Sequence, residues 1–150
     1  MNNIGAIMSR SPVMCTEELR LQGVAALMRE KHVGAVIVVT SADEINRPVG
    51  VVTDRDIVVE LVATGLDPIA ITAGDIVTRP AVVIHEHDSM LDAIHKMRSR
   101  GIRRLPVVDT QGELVGVVTQ DDLLHSLAHE LGTLVRVAEH QPAQEARLRP

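Results

Sequence analysis

The sequence contains no Phe, Tyr or Trp. A core without aromatic rings must be assembled from Val, Ile, Leu, Met and Ala, and a flat ligand must be held without aromatic stacking. That counts against single-stranded nucleic-acid binding, which leans on base–aromatic platforms. A net charge of −5 counts against it again, because phosphate backbones recruit basic surfaces. Cys15 is the only cysteine, so an intrachain disulfide and a cysteine-cluster zinc site are both excluded. Lying beside a short apolar run, it reads as a buried inert thiol rather than a nucleophile. The apolar runs stop well short of the roughly 20 residues a membrane helix requires, and no basic segment leads into an apolar one at the start. No membrane partner and a reducing cytoplasm are expected. Walker-type Gly-Lys-Ser, Gly-x-Gly-x-x-Gly and a Ser-His-Asp order are missing too. With no nucleophile, base and pocket to name, no enzyme is expected.

What is present is a heptapeptide that occurs twice. Gly50-Val51-Val52-Thr53-Asp54-Arg55-Asp56 returns as Gly116-Val117-Val118-Thr119-Gln120-Asp121-Asp122. An apolar β-branched run ending in Thr, then a charged helix-compatible segment, predicts a strand passing directly into a helix. Thr at that junction is a natural N-cap, and Asp three residues later complements the helix dipole. One such copy alone would be a capping box and nothing more. The surroundings of the two copies decide the matter.

Along the chain, a short helical turn near Ile4 and Ile7 precedes the Pro12 loop and a short strand at Val13-Met14-Cys15. Leu21, Val24, Ala25, Leu27 and Met28 recur at helical spacing. Val33 to Val39 and Val49 to Val52 read as strands, and Asp54 to Ala63 as a helix. The same order then restarts, with a turn at Ala73 to Val77, strands at 81–84, 102–108 and 114–118, and helices opened by Asp88 or Ser89 and by the second motif. Met28-Arg29 matches Met97-Arg98 and Val38-Val39 matches Val107-Val108, both at an offset of 69 (28 to 97, 38 to 107). Gly50, Thr53 and Asp56 match Gly116, Thr119 and Asp122 at an offset of 66 (50 to 116). The first hairpin loop is simply three residues longer, where insertions are tolerated.

The chain therefore reads as an internal duplication of a β-α-β-β-α unit of roughly 60 residues, in the α/β (α+β) class. Each unit is near the lower limit for independent stability, so the two are expected to pack as one pseudo-symmetric module. The expected boundaries are 3–64 for the first domain, 65–72 for a linker and 73–131 for the second. The extension at 132–150 is polar towards its Pro-bounded end and is expected to be partly disordered. Ile57, Val58, Val59, Leu61, Val62 and Ala63 leave that helix almost no polar face, and its own sheet covers only one side. A homodimer is expected, with this helix and the helix near 123–131 at the interface.

The repeated β-α-β-β-α order with Gly-h-h-Thr-x-x-Asp (h apolar) at the last strand–helix junction resembles the cystathionine β-synthase (CBS) domain family. Two such domains in one chain resemble a Bateman module. Val52-Thr53-Asp54-Arg55-Asp56-Ile57-Val58, with Gly65-Leu66-Asp67-Pro68 and Thr72-Ala73-Gly74-Asp75, is similar to free-standing CBS pairs of the hypoxic response protein type. The resemblance implies a regulatory module binding an adenosine-containing nucleotide between its domains: AMP, ADP or ATP first, then S-adenosylmethionine or NAD. It implies Asp56 and Asp122 as acceptors for ribose hydroxyls and Thr53 and Thr119 as phosphate contacts. A carboxylate can take two vicinal hydroxyls, and a Thr hydroxyl at a helix N-terminus suits an anion. It further implies phosphate contacts from Arg103 and Arg104, and base contacts from the backbone of Ser9-Arg10 and of the 78–82 stretch, including Thr78 and Val82. Gly34 and Ala35 stand where the second half has the arginines, so the two clefts are expected to differ. The effector protein of such a free-standing module is not legible.

Two histidine pairs complete the inventory. His85 and His87 lie at period-2 spacing, and His125 and His129 at i, i+4 on a helix; both spacings suit two zinc ligands. Two ligands do not make a site, and Ser126 stands where a metalloprotease carries its Glu. Solvated histidines are the preferred reading. A protein-interaction or metal-responsive homodimer without nucleotide is the competing one.

Overall fold

Each repeat forms a three-stranded sheet, because each supplies three β-branched runs separated by one amphipathic helix and one hairpin loop. The computed structural model describes residues 3–148. The first half contains α1 (Ile4–Ile7), β1 (Met14–Thr16), α2 (Leu21–Lys31), β2 (Ala35–Thr40) and β3 (Arg47–Thr53). Next comes α3 (Asp54–Ile57), continuing as a π-helical stretch, Val58–Val62. The second half repeats this with α4 (Ala73–Ile76), β4 (Ile84–His85), α5 (Met90–Arg100), β5 (Arg104–Val108), β6 (Leu114–Thr119) and α6 (Gln120–Leu148).

The sheets have orders β1-β2-β3 and β4-β5-β6, the first pair parallel and the second antiparallel in each. Equivalent residues pair in both: Cys15 with Val38 as Ile84 with Val107, and Ala35 with Thr53 as Arg104 with Thr119. Even the register shift recurs, between Val38 and Val39 and between Val107 and Val108. The duplication is thus a repeat of geometry as well as of residues.

The cores cross the boundaries expected from the repeat. Ile4 and Met8 of the first half are buried in the second-half core with Ile84, Met90, Leu105 and Val118. Ala73 and Val77 of the second half are buried in the first-half core with Leu21, Val24, Val36 and Val52. Backbone bonds repeat the exchange: Ile4 donates to Asp88 and Gly5 to Glu86, as Ala73 does to Leu19 and Gly74 to Glu17. Burial of a side chain such as Ile4 contributes about 1.5–3 kcal/mol, so each half depends on the other for part of its core. A third cluster joins the sheets, with Ile37 and Val39 against Leu114, flanked by Val51 and Val117.

Two elements depart from expectation. The helix after Thr53 is α-helical for one turn only, after which Ala63 donates to Val58 and Leu66 to Leu61, five residues back in each case. The tail beyond residue 131, expected to be partly disordered, instead continues α6 as helix to Leu148. The apolar spacing of Leu127, Leu131 and Leu134 carries the helical period past the repeat. The exposed apolar side chains expected at an interface are Val58, Val59 and Val62 on the π-helical stretch after α3 and Leu124, Leu127 and Leu131 on α6.

Candidate functional site

Both copies of the Thr-x-x-Asp motif are reciprocal capping boxes. Thr53 donates its N–H to Asp56 Oδ2 at 2.8 Å, and Asp56 returns its N–H to Thr53 Oγ1 at 3.2 Å. Thr119 and Asp122 repeat this at 2.7 and 3.2 Å. The same box also closes Thr72 with Asp75 and Ser89 with Asp92, where no repeat motif is involved. Capping is therefore the common duty of all four, and position separates them.

Thr53 and Asp56 line a cavity of about 440 Å³ between the two halves, together with Thr78, Val82, Arg103 and Arg104. That volume lies in the range of small-ligand sites. Six of the eight residues singled out from the sequence meet there. Thr119 and Asp122 lie outside it. A larger hollow, about 710 Å³, is lined by α6 residues alone and has no wall from any other element.

Local geometry explains what each side chain presents. Arg103 and Arg104 sit where the chain enters β5, Arg104 half-buried and Arg103 exposed. Neither takes part in an ion pair among the described residues. Their counterparts in the first half are Gly34 and Ala35, and a Cβ at Gly34 would lie 3.1 Å from Asp54 Oδ2. The cation pair thus comes from one half only. Thr119 also places its hydroxyl 2.7 Å from Asp122 Oδ2, so that hydroxyl proton is taken by its own cap. Thr53 has no such bond among the described residues, and its hydroxyl remains available to the cavity.

Val51 adds a feature that residue types did not reveal. Ile37, its partner across β2 and β3, donates its N–H to Val13 on the β1 side. The Ile37–Val51 pair is therefore of the non-hydrogen-bonded kind, and Val51 turns its N–H and C=O away from β2 into the cavity it lines. The symmetry mate Val117 stands opposite Pro106, which has no N–H, and turns its own peptide groups outward to Ser9. That proline is the signal by which the register could have been found.

The remaining candidates are placed as follows. Ser9 is bonded through its backbone to Val117, and Arg10 to the Gly5 carbonyl. Cys15 is buried, and its burial pushes the thiol up to about 11. Among the described residues, neither histidine pair gathers a third His, Cys, Asp or Glu into a metal-sized cluster. No helix is long and apolar enough to cross a membrane among those residues.

Comparison with known proteins gives this geometry a family. The chain is 33% identical over 132 residues to an uncharacterized protein of Methanopyrus kandleri, covering 88% of this chain and 66% of that one. It is 32% identical to hypoxic response protein 1 of Mycobacterium tuberculosis, over 81% of this chain and 82% of that one. A crystal structure of Hypoxic Response Protein I with two coordinated zinc ions superposes with a TM-score of 0.74 at 32% identity, covering 84% of this chain and 99% of its own. A CBS domain protein of Pyrobaculum aerophilum complexed with AMP superposes with a TM-score of 0.73 at 31% identity, covering 85% and 98%. The CBS domain family model matches residues 4–63 and again 73–129, one match for each repeat. The chain belongs to the CBS domain family and carries a pair of these domains.

Proposed function

We propose that this CBS pair is a regulatory module, without catalysis of its own, that binds an adenine nucleotide in the cavity between its halves. The observation that carries the reading is the gathering of Thr53, Asp56, Arg103 and Arg104 around one space, with the Val51 peptide edge beside them. In this reading the Asp56 carboxylate takes the ribose hydroxyls. Thr53 and the two arginines hold phosphate through charge-assisted hydrogen bonds. The peptide edge at Val51 offers a donor and an acceptor to a base, which suits a protein without aromatic side chains. Thr78 and Val82 line the same cavity.

AMP, ADP and ATP rank ahead of S-adenosylmethionine because the arginine pair seeks a phosphate, which that sulfonium lacks. NAD ranks behind them because a second nucleoside would have to extend out of a cavity of this size. The AMP-bound relative from Pyrobaculum aerophilum supports the same class. The exposed apolar faces of the π-helical stretch after α3 and of α6 support a homodimer as the working unit, with the effector protein acting on that dimer. A ligand signals only by binding two states unequally, so the module is expected to change shape or partner affinity on binding.

Calorimetric titration of the intact protein with AMP, ADP, ATP and S-adenosylmethionine tests the reading, with Zn²⁺ in parallel. Zinc is included because the similar Hypoxic Response Protein I structure holds two coordinated zinc ions. Nucleotide binding at micromolar to low-millimolar concentration is the expected result. No heat from any nucleotide at millimolar concentration would sink the proposal, and zinc binding alone would favour the metal-responsive dimer.

A further inference from the structure

The CBS matches end at residue 129, yet α6 continues to Leu148. At about 1.5 Å per residue, a helix of 29 residues is roughly 44 Å long, far longer than the domain beneath it needs. Leu123 is buried in the second-half core, and the helix leaves that core within its first turns. From there Leu124, Leu127, Leu131, Leu134 and Ala138 follow one another at intervals of three, four, three and four residues. That is the spacing of an a/d seam, on which helices pair at 3.5 residues per turn. Val135 and Val137 widen the stripe, and Glu130 and Arg136 are the charged residues between 127 and 138.

The stripe is bare in the single chain. Exposure runs from 37% at Leu127 to 66% at Leu134, with Leu131, Val135 and Val137 between. Taken with Leu124, these side chains offer on the order of 500 Å² of apolar surface, against about 450 Å² for the apolar share of one partner's side in a standard stable interface. At its start the stripe joins a second feature. Leu124 and Leu127 also line an apolar groove of about 420 Å³ between α5 and α6, with Ile94, Met97 and Ile102. A helix laid along the seam would run from that groove out along the free part of α6.

We propose that the free part of α6 is a pairing helix for α6 of a second copy, so that the dimer seam extends beyond the CBS domains. A second copy is the occupant because it carries the same seam at the same spacing, self-complementary about a two-fold axis, and because the exposed area is what a stable dimer requires. The inference rests on the homodimer reading given above and deepens it. It assigns the greater part of the association to residues outside the domain pair.

Analytical ultracentrifugation of the intact protein tests it, comparing wild type with Leu131→Asp, Leu134→Asp and the milder Leu134→Gln. A parallel set carries Val59→Asp on the π-helical stretch after α3. All three positions are exposed, so far-ultraviolet circular dichroism and an AMP titration are expected to show folded, binding-competent chains. The expected result is a dimer for wild type and a dimer dissociation constant raised at least tenfold by the α6 changes. A wild-type monomer would overturn the dimer reading and this inference together. A dimer that survives the α6 changes but is lost with Val59→Asp would overturn this inference alone and leave the dimer on the 58–62 stretch. Nucleotide affinity that falls with dimerisation intact would show that α6 serves the binding site instead, and would also overturn it.

Discussion

Ser9 and Val117 exchange both of their backbone hydrogen bonds, at 2.9 and 3.0 Å, while their symmetry mates Thr78 and Val51 exchange neither. In both places a glycine lets the chains approach. A Cβ at Gly116 would lie 2.6 Å from the Ser9 carbonyl oxygen, and one at Gly50 would lie 2.5 Å from that of Thr78. The approach is equally close, but only on the Ser9 side do the peptide groups satisfy each other. The counterpart of the Val51 edge is therefore already occupied by the chain's own N-terminal segment, and the arginine pair has no counterpart there either.

One nucleotide per chain follows from that asymmetry. A calorimetric stoichiometry near one per chain is expected, and near two would mean that the Ser9–Val117 bridge opens at little cost. Losing the two backbone bonds would cost about 0.5–1.5 kcal/mol for each. A second site, if filled, should thus be at least about tenfold weaker.

Asp56 and Asp122 separate binding from capping. Asp56→Ala, Asp122→Ala and Asp75→Ala each remove one arm of a capping box and should each lower stability, the half-buried Asp56 and Asp122 by about 1 kcal/mol. Only Asp56 lines the cavity. Asp56→Ala should therefore abolish measurable nucleotide binding, while Asp122→Ala and Asp75→Ala leave the affinity within about threefold of wild type. Equal loss of binding in all three would mean that capping, and not ligand contact, governs the site.

The repeat made much of this visible in advance, and what it hid has physical causes. Gly50, Thr53, Asp56 and their mates announce the strand–helix junctions because cap chemistry is local. The arginine pair is legible because Gly34 and Ala35 break the symmetry. Sequence order concealed the exchange of Ile4 for Ala73, since a hydrophobic turn packs equally well on either core and only the three-dimensional path decides. The free Val51 edge is a property of strand register, which in the first half no residue type marks and which only Pro106, opposite the mate Val117, hints at. The continuation of α6 was obscured by the polar composition after Glu139, although Leu131 and Leu134 already carried the period.

His32 offers a stability test of the same symmetry. It ends α2 in the left-handed region with φ 54°, where the mate that ends α5 is Gly101 at φ 63°. A side chain there crowds the following carbonyl, at a cost of roughly 1–2 kcal/mol for a non-glycine residue. His32→Gly should stabilise the protein by about 1 kcal/mol after the larger entropy of the unfolded glycine is counted. Gly101→Ala should destabilise it by a similar amount. Denaturant midpoints at constant slope would report both, and a loss of stability in His32→Gly would mean that the imidazole makes a compensating contact.

Acid should uncover the two caps that lie away from the cavity. The Thr72 backbone N–H, helped by the Thr72 hydroxyl, holds the Asp75 carboxyl below its ordinary value. The Ser89 hydroxyl and then the Ser89 N–H do the same for Asp92. A carboxyl depressed in the folded state binds its proton more readily in the unfolded chain, so folding gains from it above the unfolded pKa of about 3.9. That gain disappears as pH falls through the folded values. The melting temperature of wild type should therefore exceed that of the Asp75→Asn/Asp92→Asn variant at neutral pH, and the gap should close below about pH 4. Both carboxylates are exposed, so solvent and salt screen the effect and the gap should be small but pH-dependent. Melting curves that run parallel from neutral pH into acid would show that the carboxylate charges contribute nothing beyond the shape of the cap.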